Sequence, residues 1–229
     1  MVLNQPAASA VPDTTGAAST GRRRRLLTVT GAIGIGFTLS WIAGLAIPAP
    51  SPKFSASGAQ IVSAIAGHGP ALATQFALTE GLPAAGIAVV AIGLARVTGS
   101  QVARVAGVAA AVISALQFCL GMWLAATGSP VTAHVLYQMV NRMDGGKMLA
   151  LAVLGAAAAA ALALPRWLRY TGAALAVAIA ASGVAYLLLL QSLALLAGPA
   201  LVLLLIFITG AGIWLGGSVR GRWPCRARD

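Results

Sequence analysis

Only 8% of the 229 residues are charged, 59% are hydrophobic, and the mean hydropathy is +0.90. A water-soluble domain carries about 25% charged residues, so this composition excludes an ordinary soluble fold and places the chain in a bilayer. The formal charge of +11 does not signal nucleic-acid binding. The arginines flank apolar runs and form no basic face interleaved with stacking aromatics.

Residues 1–21 mix Ala, Ser, Thr, Pro and Gly with one acid, Asp13. They bury too little apolar surface to offset their ordering entropy, so residues 1–25, ending in Arg22–Arg25, read as a disordered basic cytoplasmic tail. The uncharged run Leu26–Ile47 reaches roughly 33 Å as a helix, enough to cross a bilayer. A basic block before an apolar run also describes a secretory signal, with Gly44-Leu45-Ala46 as its cleavage site. The run is longer than the usual h-region and further spans follow, which favours a retained first span. Ala32, Gly36, Ser40 and Gly44 recur at every fourth position, giving a small-residue face for helix packing.

Pro48, Pro50 and Pro52 end that helix. Within the loop 49–70, Ser55–Ala66 has the spacing of a short surface helix. The second span is Ala71–Ala95, with Glu80 inside it and Pro83 three residues on. A carboxylate in hydrocarbon must be paired, protonated, near the surface or in use. The third span, Val105–Ala126, contains Gln117 and Cys119, and repeats a small-residue row at Ala103, Gly107, Ala111 and Ala115.

Thr127–Lys147 reads as a second long loop. Val131, Val135, Met139 and Met143 form an apolar stripe on a short helix within it, beside His134, Gln138 and Arg142. Asp144 before Gly145-Gly146 reads as a helix start, since Asp caps helices well. The fourth span is then Met148–Leu164, followed by a turn at 165–170 with interfacial Trp167 and Tyr170. Thr171–Leu190 and the run from Gly198-Pro199 to about Gly216 complete six spans, and residues 219–229 read as a basic cytoplasmic tail.

Orientation follows from the basic residues. Alternate flanks hold Arg22–Arg25, Arg96 with Arg104, Arg166 with Arg169, and the tail arginines, while the other side holds only Lys53, Arg142 and Lys147. Positive charge stays cytoplasmic, so the fold class is an all-α polytopic bundle, 26–218, with six spans and both termini inside. The expected location is the bacterial inner membrane.

Counted along the helices, Glu80 and Gln117 both lie about 13 Å below the outer boundary. Ser182 and Thr209 fall near that level, and Asp144 and Lys147 stand at the outer mouth of the fourth span. These residues outline an outward polar pocket of Glu80, Gln117, Asp144, Lys147 and Ser182. Gln117 is then a hydrogen-bonding neighbour of Glu80 and Lys147 its counter-charge. Pro83 frees a carbonyl near Thr79 and bends the helix beside the acid. The competing reading moves the start of the second span inward by about five residues, which brings Glu80 within about 6 Å of the interface, where it reaches water.

No catalytic signature is present: no G-x-S-x-G, no P-loop, no paired acids. Cys119 and Cys225 are too separated across the bilayer to pair. His68 and His134 are too far apart for HExxH-type zinc chemistry. Neither a metal nor a cofactor is expected.

Three short segments carry a resemblance: Phe54–Ile61 before the second span, Met143–Lys147 entering the fourth, and Leu164–Leu168 leaving it. Through them the layout over 26–218 resembles a group of uncharacterised six-helix membrane proteins of high-GC bacteria. The resemblance implies a helical bundle and assigns no activity or functional residue. From sequence, the first expectation is a non-enzymatic scaffold or accessory subunit that uses Gly36, Ser40, Gly44 and Gly107 to pack on a membrane partner or a second copy. The alternative is a small transporter or sensor with its pocket around Glu80.

Overall fold

A computed structural model describes residues 15–192 and 194–217, with side chains from Val29 onward apart from Ala194. Among these the chain is helical, with no strand. The helices are α1 (Thr15–Leu45), α2 (Gly58–Ile65), α3 (Gly69–Phe76), α4 (Leu82–Thr98), α5 (Gln101–Ala126), α6 (Pro130–Ala160), α7 (Arg166–Leu187) and α8 (Ala197–Gly217). A π-helical turn, Ala77–Gly81, fuses α3 to α4 as one continuous rod, Gly69–Thr98. Five helices are long and apolar enough to cross a membrane: this rod, α5, α6, α7 and α8. The described apolar part of α1, Val29–Leu45, is shorter.

Local chemistry sets the helix ends. Ser57 and Gln60 form a reciprocal capping box at the start of α2. Ser100 and Ser129 cap α5 and α6 by accepting from Ala103 N and Thr132 N. Gly99 closes α4 in the left-handed region at φ 69°, where a side chain is strained. At the end of α6, Arg169 Nε donates to Ala159 O at 2.9 Å, satisfying an orphan carbonyl at the negative end of the helix dipole.

Around the bundle each helix packs on the next: α1 on α4, α4 on α5, α5 on α6, α6 on α7, α7 on α8, and α8 back on α1. α1 therefore closes the ring. Phe207, Leu94, Leu151, Leu154 and Leu175 fill its centre at 1% exposure or less. The outside is also apolar: Val105, Val177 and Val202 are all more than half exposed. That inversion of the soluble pattern suits a lipid surround. A second, smaller core of Ile61, Ile65, Leu72, Leu124 and Leu136 lies under α2.

Several expectations are corrected. Most of the loop Thr127–Lys147 and of the span Met148–Leu164 belongs to one helix, α6, Pro130–Ala160, of 31 residues. At roughly 46 Å it exceeds the hydrocarbon thickness by about 16 Å. Asp144 does not cap a helix start but lies inside α6, its carboxylate engaged by neighbouring side chains. Gly145-Gly146 does not break the helix either: Gly145 gives α6 its closest approach to α7, where an added Cβ would meet Gly183 O at 2.6 Å. The stripe Val131, Val135 and Met139 faces outward, and Ala133, Leu136 and Val140 are the buried positions.

The helix expected from Leu26 begins at Thr15. Residues 15–25 therefore have helical backbone, the extension of an already nucleated helix requiring no new nucleus. Residues 1–14 and the tail 219–229 lie outside the described residues.

The small-residue row on α1 is divided. An added Cβ on Gly44 would meet Thr79 Cγ2 at 2.6 Å, and Ser40 Oγ donates to Leu78 O at 2.5 Å. Gly36, in contrast, has nothing within 4 Å. The faces used between α1 and α8 are Gly34 against Gly212, and Thr38 with Thr209, whose Oγ1 atoms are 2.5 Å apart. Gly107 packs inside the bundle against Ala91 of α4.

Candidate functional site

The π-helical turn places the central acid. Pro83 has no N–H to give to Thr79 O, and the backbone compensates by widening one turn: Leu82 N donates to Ala77 O, five residues back. The widened turn carries Glu80 to the bundle interior, where it is 6% exposed. Lys147 of α6 meets it there. Lys147 Nζ lies 2.8 Å from each of the two Glu80 oxygens and 2.6 Å from Asp144 Oδ1. All three N–H donors of the ammonium therefore have partners.

Two residues of α5 complete the cluster. Ser114, 1% exposed, donates to Glu80 Oε2 at 2.5 Å. Gln117, also 1% exposed, directs Nε2 to Val140 O at 3.1 Å and to Asp144 Oδ1 at 3.4 Å. This leaves Gln117 Oε1 buried with no hydrogen-bond partner. Two carboxylates face one ammonium, so the cluster carries one formal negative charge in excess.

Above it lies a cavity of about 210 Å³, whose lining includes Glu80, Gln117, Asp144, Phe76, Tyr137 and Ile61. Its roof is the segment from Ala49 to Pro52 together with α2. Three attachments hold the roof down. The Tyr137 hydroxyl donates to Pro52 O, Phe54 N donates to Gln191 Oε1 at 3.0 Å, and His134 Nδ1 lies 3.3 Å from Ala56 O. Phe54 also packs edge-on to Tyr186, with ring centroids 5.2 Å apart. The N-terminal turns of α6 make these contacts possible, because Tyr137 and His134 stand on them.

The structure thus brings together four of the five residues expected in the pocket: Glu80, Gln117, Asp144 and Lys147. Lys147 is the counter-charge of Glu80, but Gln117 bonds Asp144 instead of Glu80. Asp144 and Lys147 are not at a helix mouth, and Lys147 is only 4% exposed. Ser182 does not belong: its hydroxyl donates to Ala178 O of its own helix at 3.1 Å, and it does not line the cavity. Thr209 is likewise remote, engaged with Thr38 and Gly34 O.

Sequence reasoning missed Ser114, although its spacing of three from Gln117 puts both on one helix face. It also missed Tyr137, Asn141 and Gln75 on the cavity wall, since tertiary contacts alone place them there. Among the described residues no group of three or more His, Cys, Asp or Glu could hold a metal ion. Compared with protein-family models, curated proteins and solved structures, the chain matches none.

Proposed function

We propose that the chain is a multi-pass protein of the bacterial inner membrane, crossing six times with both termini cytoplasmic, and that the Glu80–Lys147–Asp144 cluster is the floor of an outward-facing solute site in a small transporter or sensor. One observation carries this reading: a buried cluster with excess negative charge and an unpartnered acceptor opens onto a roofed cavity. A purely structural ion pair needs neither feature, and ionisable residues inside a membrane are retained at considerable cost. A π-turn at the central acid adds support, as such turns gather at functional sites.

The outward assignment rests on charge. The turns bearing Arg96, Arg104, Arg166 and Arg169 lie at the end of the bundle away from the roof, and positive turns stay cytoplasmic. The scaffold reading draws on small-residue faces. Gly44, Ser40 and Gly107 already pack within the chain, which leaves Gly36 and its neighbour Ala32 for a partner.

The test is a stability screen of the full chain in lipid nanodiscs against small amines, carboxylates, sugars and neutral amides. A solute at a hundred times its Kd stabilises the folded state by about 2.7 kcal/mol, readable as a rise in Tm. At least one class is expected to raise Tm in the wild type and to have no effect on Ile65→Trp, in which an indole fills the cavity. No response from any class would refute the reading.

A further inference from the structure

Resting on the solute-site reading, we propose that the cavity takes a small organic cation bearing N–H groups, a primary or secondary alkylammonium, held head-down between Asp144 and Gln117. Two acceptor side chains face it. Gln117 Oε1 is buried without a donor. Asp144 accepts from Lys147 and Gln117 through Oδ1 and is a carboxylate that also faces the cavity. Both residues line the cavity, and the Asp144 side chain is 21% exposed.

No donor already in the cluster can turn to these atoms. The three N–H groups of Lys147 are engaged with Glu80 and Asp144, and the Ser114 hydroxyl is given to Glu80. An entering ligand with a positive charge and N–H groups would supply what the cluster's own donors do not. A buried acceptor left without a donor costs free energy, and a charge-assisted bond to a carboxylate is among the strongest available.

The remaining walls define the body of the ligand. Phe76, Tyr137, Leu72, Ile61 and Val140 are apolar or aromatic, which suits an alkyl chain and places ring faces near a cation. A volume of about 210 Å³ is below the usual range for drug-sized pockets, roughly 300–1,000 Å³, so the ligand is small. Calcium takes six to eight oxygen ligands, and among the described residues no group of three or more His, Cys, Asp or Glu could hold a metal ion. An anion would face the excess negative charge directly.

The experiment is calorimetric titration of the full chain in nanodiscs with four probes of similar bulk: n-butylammonium, tetramethylammonium, n-butanol and butyrate. Butylammonium is expected to bind about tenfold or more tighter than each of the others, the margin of one charge-assisted hydrogen bond. Gln117→Leu, which removes an acceptor without altering charge, is expected to narrow the margin over tetramethylammonium, because that cation makes no N–H bond. Equal binding of the two cations overturns the N–H assignment. Tighter binding of butanol or butyrate overturns the cation assignment and leaves the solute-site reading intact. No binding of any probe, with a different solute class active in the stability screen, also overturns the cation assignment alone. Silence in both experiments removes the two together. Because the wild-type panel decides the matter by itself, poor folding of the variant would not rescue the proposal.

Discussion

Lys147 is the side chain on which the interior charge balance depends. Its ammonium touches Glu80 and Asp144 at 2.6–2.8 Å, and the residue is only 4% exposed. Lys147→Met would leave two carboxylates facing each other without a cation. Removing one partner of a buried ion pair costs about 3–5 kcal/mol, so the variant should unfold at markedly lower temperature or denaturant concentration in detergent. Adding Glu80→Gln to Lys147→Met should recover part of that loss, since it removes one of the two like charges. A double mutant less stable than Lys147→Met would contradict the pairing. Glu80 and Gln117 could be suspected from sequence because a polar residue in an apolar run is conspicuous by itself. Lys147 could also be suspected as the counter-charge of Glu80, although the two are 67 positions apart, but Ser114 as a donor to Glu80 and Asp144 as the partner of Gln117 could not.

At the scale of the element, α6 teaches the most. Its first half reads as loop because polar residues, an Asp and a Gly-Gly pair all signal interruption in isolation. Tertiary contacts override each signal. Asp144 has Lys147 and Gln117 as partners, so it has no need of a helix N-terminus, and Gly145 lets two backbones approach. The adjacent glycines should therefore respond oppositely to alanine. Gly145→Ala drives a Cβ against Gly183 O and Leu187 N, each at 2.6 Å, and should destabilise by about 1–3 kcal/mol. Gly146 has nothing within 4 Å, so Gly146→Ala should gain helix propensity, up to about 1 kcal/mol. Thermal unfolding of the two variants in parallel checks the pair. The π-turn is a milder case: Pro83 indicates a disturbance near Thr79, but whether the helix kinks or widens depends on what surrounds it.

For the whole molecule, the proposed topology makes a direct prediction. Gly128 lies in the turn between α5 and α6 with open space around it, and Leu162 lies between α6 and α7 and is 82% exposed. In a background with Cys119→Ser and Cys225→Ser, a membrane-impermeant thiol reagent added to spheroplasts should label Gly128→Cys and spare Leu162→Cys until the membrane is permeabilised. The opposite pattern would invert the bundle and turn the cavity toward the cytoplasm.

By itself the sequence determined the helical class, the bounds of four of the apolar helices (the Gly69–Thr98 rod, α5, α7 and α8) to within a few residues, and a short helix within Ser55–Ala66, because hydropathy runs and prolines act over a few neighbouring residues. Only the tertiary structure decided that α6 is unbroken, that α1 closes the ring on α8, and that Ser114 meets Glu80 and Asp144 meets Lys147 under a roof tied to Tyr137. Those outcomes depend on burial and on charge pairing between distant segments. A buried carboxylate accepts whichever donor the packing brings within about 3 Å, and sequence spacing carries no record of that choice.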